Sequence, residues 1–228
     1  MKKIIYKTSN LFSLKNYDDS NLNCTSMLYP SLYSIRSAII GAIITTDGID
    51  KAKELFETIK NAKLKVCFPN KYNVNGIVQK RYSNSSYLGK CNVEEYDTLS
   101  NSSKAKYYYV LDRDNLVKCN WKKTMGFREY ICLDEISFYI DDNIPDVYFK
   151  NIDWLGTSES MVYLSEIRYE DNMDNVLIKW NGTDRKDTYI QHDWDRSIKF
   201  DNIYMYSNNY KHHHETYMCT IENTKSIC

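Results

Sequence analysis

The chain has 228 residues, 43% of them apolar, which suits one domain with a large core or two small ones. Its 30 lysines and arginines equal its 30 aspartates and glutamates, which excludes a global field that draws the molecule onto nucleic acid or a membrane. Contact with RNA would have to come from a local patch, and electroneutrality favours a subunit over a free, highly soluble monomer.

Lys2 to Tyr6 predicts a short strand, and residues 9–27 read as polar loop. The segment Met1-Lys-Lys-Ile-Ile-Tyr holds three consecutive apolar residues before Lys7, too few for a signal peptide. Pro30 then fixes the approach to a helix over 32–44, with Ser31 or Ser34 able to cap its first turn. Leu32, Ile35, Ile39, Ala42 and Ile43 recur at spacings of three and four, the pattern of a buried helical face. Arg36 falls off that face. Gly41 costs about 1 kcal/mol of helix propensity against alanine, which is the expected signature of a neighbouring backbone packed close by. The apolar run Ala38 to Ile44 is too short to span a bilayer.

Thr46-Asp-Gly48 breaks the helix, and a second runs from about 49 to 61 with Ile49, Ala52, Leu55, Phe56 and Ile59 apolar. Leu64 to Phe68 is a strand stopped by Pro69. Residues 70–104 are rich in Asn and Ser and read as a long, weakly structured excursion, a length that serves binding or disorder. They are expected to become ordered on assembly. Tyr107 to Leu111 and Leu116 to Cys119 flank a hairpin turn at Asp112-Arg-Asp-Asn115. Tyr130 to Ile140 alternates as one long strand with a bulge. Asp141 to Pro145 is a turn, Tyr148 to Trp154 is ambiguous, and Leu155 to Ser160 is a tight loop. Strands are expected at Met161 to Arg168, Val176 to Trp180 and Ile198 to Tyr206. The sum is α+β, with sheet backed by helix. The seven cysteines (24, 67, 91, 119, 132, 219, 228) contain no CxxC pair, so neither a zinc site nor any other cofactor is expected, and free thiols in a reducing cytoplasm are the reading.

The stretch Cys24 to Gly41, with its tyrosine-proline turn into a glycine-bearing helix, resembles the Cas5 family of CRISPR-associated RAMP proteins, closest to the type I-B forms. Gly126-Phe-Arg-Glu-Tyr-Ile-Cys-Leu133 resembles the family segment that re-enters the sheet. Asp153-Trp-Leu-Gly-Thr-Ser-Glu-Ser-Met-Val162 resembles its Leu-Gly-x-x-Glu-Ser loop and following strand. The resemblance touches residues 1–69 and 120–168. It implies a ferredoxin-like, RRM-related RAMP domain over 1–170 with a protruding β-hairpin thumb at about 70–125. A mostly β C-terminal part, 171–228, would pack on the same domain. The implied role is a subunit of a type I CRISPR surveillance (Cascade) complex that holds the 5′ handle of the crRNA and caps a backbone filament of Cas7-type subunits. It would also touch a Cas8-type large subunit, with target DNA as a further contact in the assembled complex, and meet no membrane.

A handle-binding subunit needs cations for phosphates, flat side chains for splayed bases and polar groups for base edges. Lys80, Arg81 and Tyr82 supply the first two together. Asn120, Trp121, Lys122 and Lys123, with Arg128 beyond them, form the densest positive patch. The alternatives are a solvated hairpin surface and, for Trp121, core packing. Arg36 can meet a phosphate beside free helix N–H groups or sit in an intramolecular salt bridge. Gly156 permits close backbone approach. Ser158 and Ser160 can bond a nucleotide or simply build a turn.

Cleavage of precursor crRNA is the runner-up, since type I-C members of the family cut RNA themselves. It requires a base near the 2′-hydroxyl. His192, with Asp193 or Asp195 to orient its ring, is the better candidate. His212, His213 and His214 lie in a loop-like run. The type I-B likeness assigns processing to another subunit, so no catalytic residue is expected. A scaffold without RNA contact is the third reading.

Overall fold

In the computed structural model the described residues are 1–9, 11–14, 23–91, 93–112, 115–156, 160–170, 172–182, 188–204 and 214–222. The side chains at 23, 79–91, 93, 105–108, 110–112, 115, 119–124, 204 and 214 lie outside that description. In chain order the elements are β1 (Lys2–Thr8), β2 (Asn23–Cys24), α1 (Leu32–Asp47), α2 (Ile49–Asn61), β3 (Leu64–Val66) and β4 (Tyr72–Cys91). There follow α3 (Val93–Thr98), α4 (Asn101–Lys106), β5 (Tyr107–Asp112), β6 (Asn115–Leu133), β7 (Glu135–Ile140) and α5 (Asp146–Lys150). The chain continues through β8 (Val162–Tyr169), β9 (Val176–Lys179), β10 (Tyr189–Trp194), α6 (Phe200–Tyr204) and β11 (His214–Glu222). The architecture is α+β.

Two compact units divide these elements: residues 1–17, 26–75 and 129–228, and residues 18–25 and 76–128. The first holds a four-stranded sheet of order β3-β7-β1-β8. All its neighbours are antiparallel. A three-stranded antiparallel sheet, β10-β11-β9, belongs to the same unit. Ile4 and Tyr6 of β1 are buried on one face, as the period-two pattern of a strand requires. Tyr6 stacks on Phe138 with centroids 6.1 Å apart, and its hydroxyl donates to the Phe149 carbonyl at 2.7 Å. Ile35, Ile39 and Ile43 of α1 join the same core. The buried Lys2 ammonium donates to the carbonyl of Ile144 and the carboxylate of Asp146, which ties β1 to the start of α5.

In the second unit β6 lies between β2 and β4, and β5 pairs with β6. The β5–β6 register runs from Tyr107↔Asn120 to Asp112↔Asn115. A Cβ at Gly76 would meet the Phe127 ring at 2.6 Å, so this strand position excludes a side chain.

Four expectations change. The segment 70–104 is regular: β4, α3 and α4 occupy most of it. Composition hid them, because Asn and Ser weaken local propensity, while β4 takes its ladder hydrogen bonds from β6. The strand expected over 130–140 is two, ending at Leu133 and restarting at Glu135. The strand expected at 198–206 is instead the short helix α6, whose Phe200 packs edge-on to Phe56 at 5.8 Å. The strands β10 and β11 were not anticipated, nor was the burial of Phe12 and Leu14 within the supposed loop of 9–27.

Several tyrosines couple this fold to pH. Burial pushes the Tyr6 and Tyr29 phenols up, and a hydrogen bond to Asp47 raises Tyr148 from 10.0 to about 12. A phenol whose folded pKa exceeds its unfolded one contributes stability that is whole below the unfolded value and is lost as pH rises through the folded one. The urea midpoint is therefore expected to fall between about pH 10 and 12. A spectrophotometric tyrosine titration should show a class of phenols that ionises only on unfolding. A midpoint flat across that window would refute the coupling.

Candidate functional site

Helix α1 is capped by Ser31, whose hydroxyl oxygen accepts the Ser34 N–H at 3.1 Å. Its apolar residues fall on one side, so the opposite side carries Tyr33, Ser37, Gly41 and Thr45 at steps of four. The C-terminal end of α1 is clamped to α5. Tyr148 donates to Asp47 at 2.7 Å, and Asn151 donates to the Thr46 hydroxyl at 2.8 Å. The chain segments on either side of residues 157–159 then pair with each other. Leu155 N–H donates to Ser160 O at 3.1 Å, Val162 N–H to Asp153 O at 2.8 Å, and Trp154 bridges to Met161. Gly156 takes φ +95°, where a side chain would overlap Leu14.

Between these paired segments and the stripe on α1 lies a groove of about 320 Å³. Tyr33, Ser37, Gly41, Asn151, Trp154 and Gly156 are among its walls. Trp154 is 54% exposed, and a Cβ added to Gly41 would meet nothing within 4 Å. The expectation of a backbone packed on Gly41 is thus corrected: the glycine keeps the groove open. An exposed indole plane, an open floor and amide and hydroxyl groups suit a flat heteroaromatic base. None of the described groove residues is a lysine or arginine, so phosphates would have to be held elsewhere.

Arg36 is 5% exposed, and its expected phosphate contact gives way to an ion pair. Its Nε donates to Asp193 Oδ1 at 2.8 Å and its Nη2 to Oδ2 at 3.2 Å. The other guanidinium hydrogens reach the carbonyls of Ile59 and Ala62. Five donors meet acceptors inside the protein, which leaves none for a phosphate.

Ser160 is likewise buried. Its hydroxyl donates to Ser13 O at 2.7 Å and accepts Ser13 N–H at 3.1 Å, so it locks the loop rather than facing a nucleotide. Arg128 is half-buried on β6, opposite Cys24. Lys80, Arg81 and Tyr82 fall on β4 and Trp121, Lys122 and Lys123 on β6, with side chains outside the described residues. Ser158, His212 and His213 lie outside the described residues, as does the side chain of His214.

Of the two carboxylates expected to orient His192, Asp193 is corrected. The His192 Nδ1 faces the Thr216 hydroxyl at 2.9 Å, while Asp193, on the opposite face of β10, holds Arg36. No group of three or more His, Cys, Asp or Glu with metal-holding geometry occurs among the described residues. No described helix is long and apolar enough to cross a membrane.

Sequence reading missed Tyr33, Ser37 and Asn151 as groove walls. The step-of-four spacing of small and polar residues opposite the isoleucines was the available signal for the first two. Asn151 had none, because its place depends on α5.

Fold and groove together define an α+β protein with a cation-poor, base-sized groove against its first helix. No family model matches the chain. The curated "CRISPR-associated protein Cas5" of Archaeoglobus fulgidus is similar, with 24% identity over 219 residues, covering 90% of this chain and 84% of that protein. A solved "CRISPR protein from Archaeoglobus fulgidus" aligns with a TM-score of 0.40 and 10% identity, over 99% of this chain and 87% of that one. The chain is thus distantly similar to a Cas5 protein.

Proposed function

We propose that this chain is a non-catalytic crRNA-binding subunit of a type I CRISPR surveillance (Cascade) complex in antiviral defence, nearest the type I-B form. It holds the 5′ handle of the crRNA, caps a filament of Cas7-type subunits and contacts a Cas8-type large subunit. One observation carries the reading. Two of the segments that resemble Cas5, Cys24 to Gly41 and Asp153 to Val162, supply two walls of one groove. The similarity to the Archaeoglobus fulgidus Cas5 over 90% of the chain supports it. The sheet order β3-β7-β1-β8, with helix between β1 and β3 and again between β7 and β8, supports a ferredoxin-like, RRM-related frame.

In this reading a handle base stacks on Trp154, and Lys80, Arg81, Lys122 and Lys123 meet phosphates. A few phosphate contacts on a neutral protein give salt-sensitive affinity. Neighbouring subunits raise it through effective concentration. The engagement of Asp193 by Arg36 takes away one of the two carboxylates expected to orient a His192 general base, which supports the non-catalytic reading.

Trp154→Ala is expected to weaken handle RNA binding by about 1–3 kcal/mol, the worth of one base–aromatic stack. Gly41→Leu, whose Cβ meets nothing within 4 Å and whose side chain projects into the groove, should do the same with the fold intact. Charge reversal of Lys122 and Lys123 should loosen crRNA retention in the purified complex. Unchanged RNA content in all three variants would refute the reading. Labelled repeat RNA should survive incubation with the protein, with or without divalent metal; cleavage would restore the endoribonuclease alternative.

A further inference from the structure

A second concavity in the first unit, of about 290 Å³, is flanked by β3 and β9 and completed by Leu32, Gln191, Glu215 and Tyr217. Gln191 is 1% exposed. Its Oε1 accepts two backbone donors, Leu32 N–H at 3.1 Å and His192 N–H at 3.0 Å. Those donors fix which end of the amide is oxygen. The Nε2 is thereby turned the other way, and it has no hydrogen-bond partner among the described residues. A buried amide N–H without an acceptor costs about 1–3 kcal/mol, so the position calls for one.

The surroundings favour a negative acceptor. Leu32 opens α1, a helix of 16 residues, and brings the positive end of its dipole to the cavity. The Lys179 ammonium, also at the cavity, lies 5.2 Å from the centre of the Tyr217 ring. Burial and the nearby Asp193 hold the Tyr217 phenol protonated, so its O–H remains a donor. Two carboxylates count against an anion, and neither dominates. Asp193 is neutralised by Arg36. Glu215 is exposed, where water screens it.

We propose that this cavity binds one phosphate group, held by the Gln191 Nε2 amide and the Lys179 ammonium in the field of the N-terminal end of α1. An ammonium, a directed amide N–H and the positive end of a helix are the surroundings that phosphate takes at helix N-termini. The proposal does not rest on the crRNA reading, and it is tested without RNA.

The test is a titration of the full ¹⁵N-labelled chain with inorganic phosphate at constant ionic strength. The Gln191 side-chain amide and the Leu32 N–H signals are expected to shift saturably. Lys179→Glu should weaken the apparent affinity roughly tenfold or more, whereas Lys53→Glu, the same charge change on exposed α2 surface, should leave it unchanged. An oligoribonucleotide without terminal phosphates is then added. Displacement identifies a backbone phosphodiester as the ligand, and retention identifies a small phosphate compound; either outcome upholds the site. Gln191 signals that do not move, or equal weakening in both variants, would mean water or an adventitious ion only and would overturn it.

Discussion

Replacement of Arg36 by leucine is expected to lower the unfolding free energy by about 3–5 kcal/mol, the usual consequence of removing one partner of a buried ion pair. Asp193 would keep its charge with a side chain only 16% exposed and would lose both guanidinium bonds. The carbonyls of Ile59 and Ala62, at the end of α2, would lose their donor at the same time. The pair joins α1 to β10 and to α2, so its loss loosens three elements together. A double replacement, Arg36→Leu with Asp193→Leu, should recover much of the deficit, because the uncompensated charge goes with it. Urea denaturation of the three variants measures this directly. If Arg36→Leu unfolded at the wild-type midpoint while RNA affinity dropped, the phosphate role would stand and the ion-pair account would fail.

The second large effect is expected at Gly156. Valine there should destabilise the protein by about 1–3 kcal/mol through the backbone alone, since φ +95° disfavours a β-branched residue. Overlap with Leu14 adds about 1–3 kcal/mol more. Leu14 is buried, so it has little room to withdraw. A cycle of Gly156→Ala, Leu14→Ala and the double variant reads the overlap as the coupling between the two positions, while the backbone strain stays with Gly156→Ala in both backgrounds. The same segment also carries Trp154, so RNA binding should decline in step with stability. A Gly156→Val variant as stable as wild type would show that the turn relaxes.

The helices α1 and α2 and the strands β1, β3 and β8 were legible because their apolar residues repeat at helix or strand period. Burying such a face is a local instruction that a single segment carries. Ser31 as a cap and Gly48 as a break were readable for the same reason. The β5–β6 pairing was legible from the apolar runs on either side of Asp112 and Asn115, while residues 113–114 between them lie outside the described residues. The excursion of 70–104 was not, because its strand β4 pairs with β6, remote in sequence, and its helices are short, with α4 rich in Asn and Ser. Asn175 shows the same limit. It takes φ 57° at a turn whose side chain donates to the Phe68 carbonyl, a contact across 107 positions.

By itself the sequence determined an α+β chain with an amphipathic first helix, a glycine turn near 156 and no net charge. It also pointed to the two segments that border the groove. The tertiary structure alone decided that Gly41 opens a cavity instead of admitting a backbone. It decided too that Arg36 meets Asp193 and not a phosphate, and that the Gln191 oxygen accepts the Leu32 N–H at the start of α1. Those outcomes turn on partners 157 and 159 residues away. A segment's own period states which face is buried, but the group that will meet it is chosen by how distant strands pack.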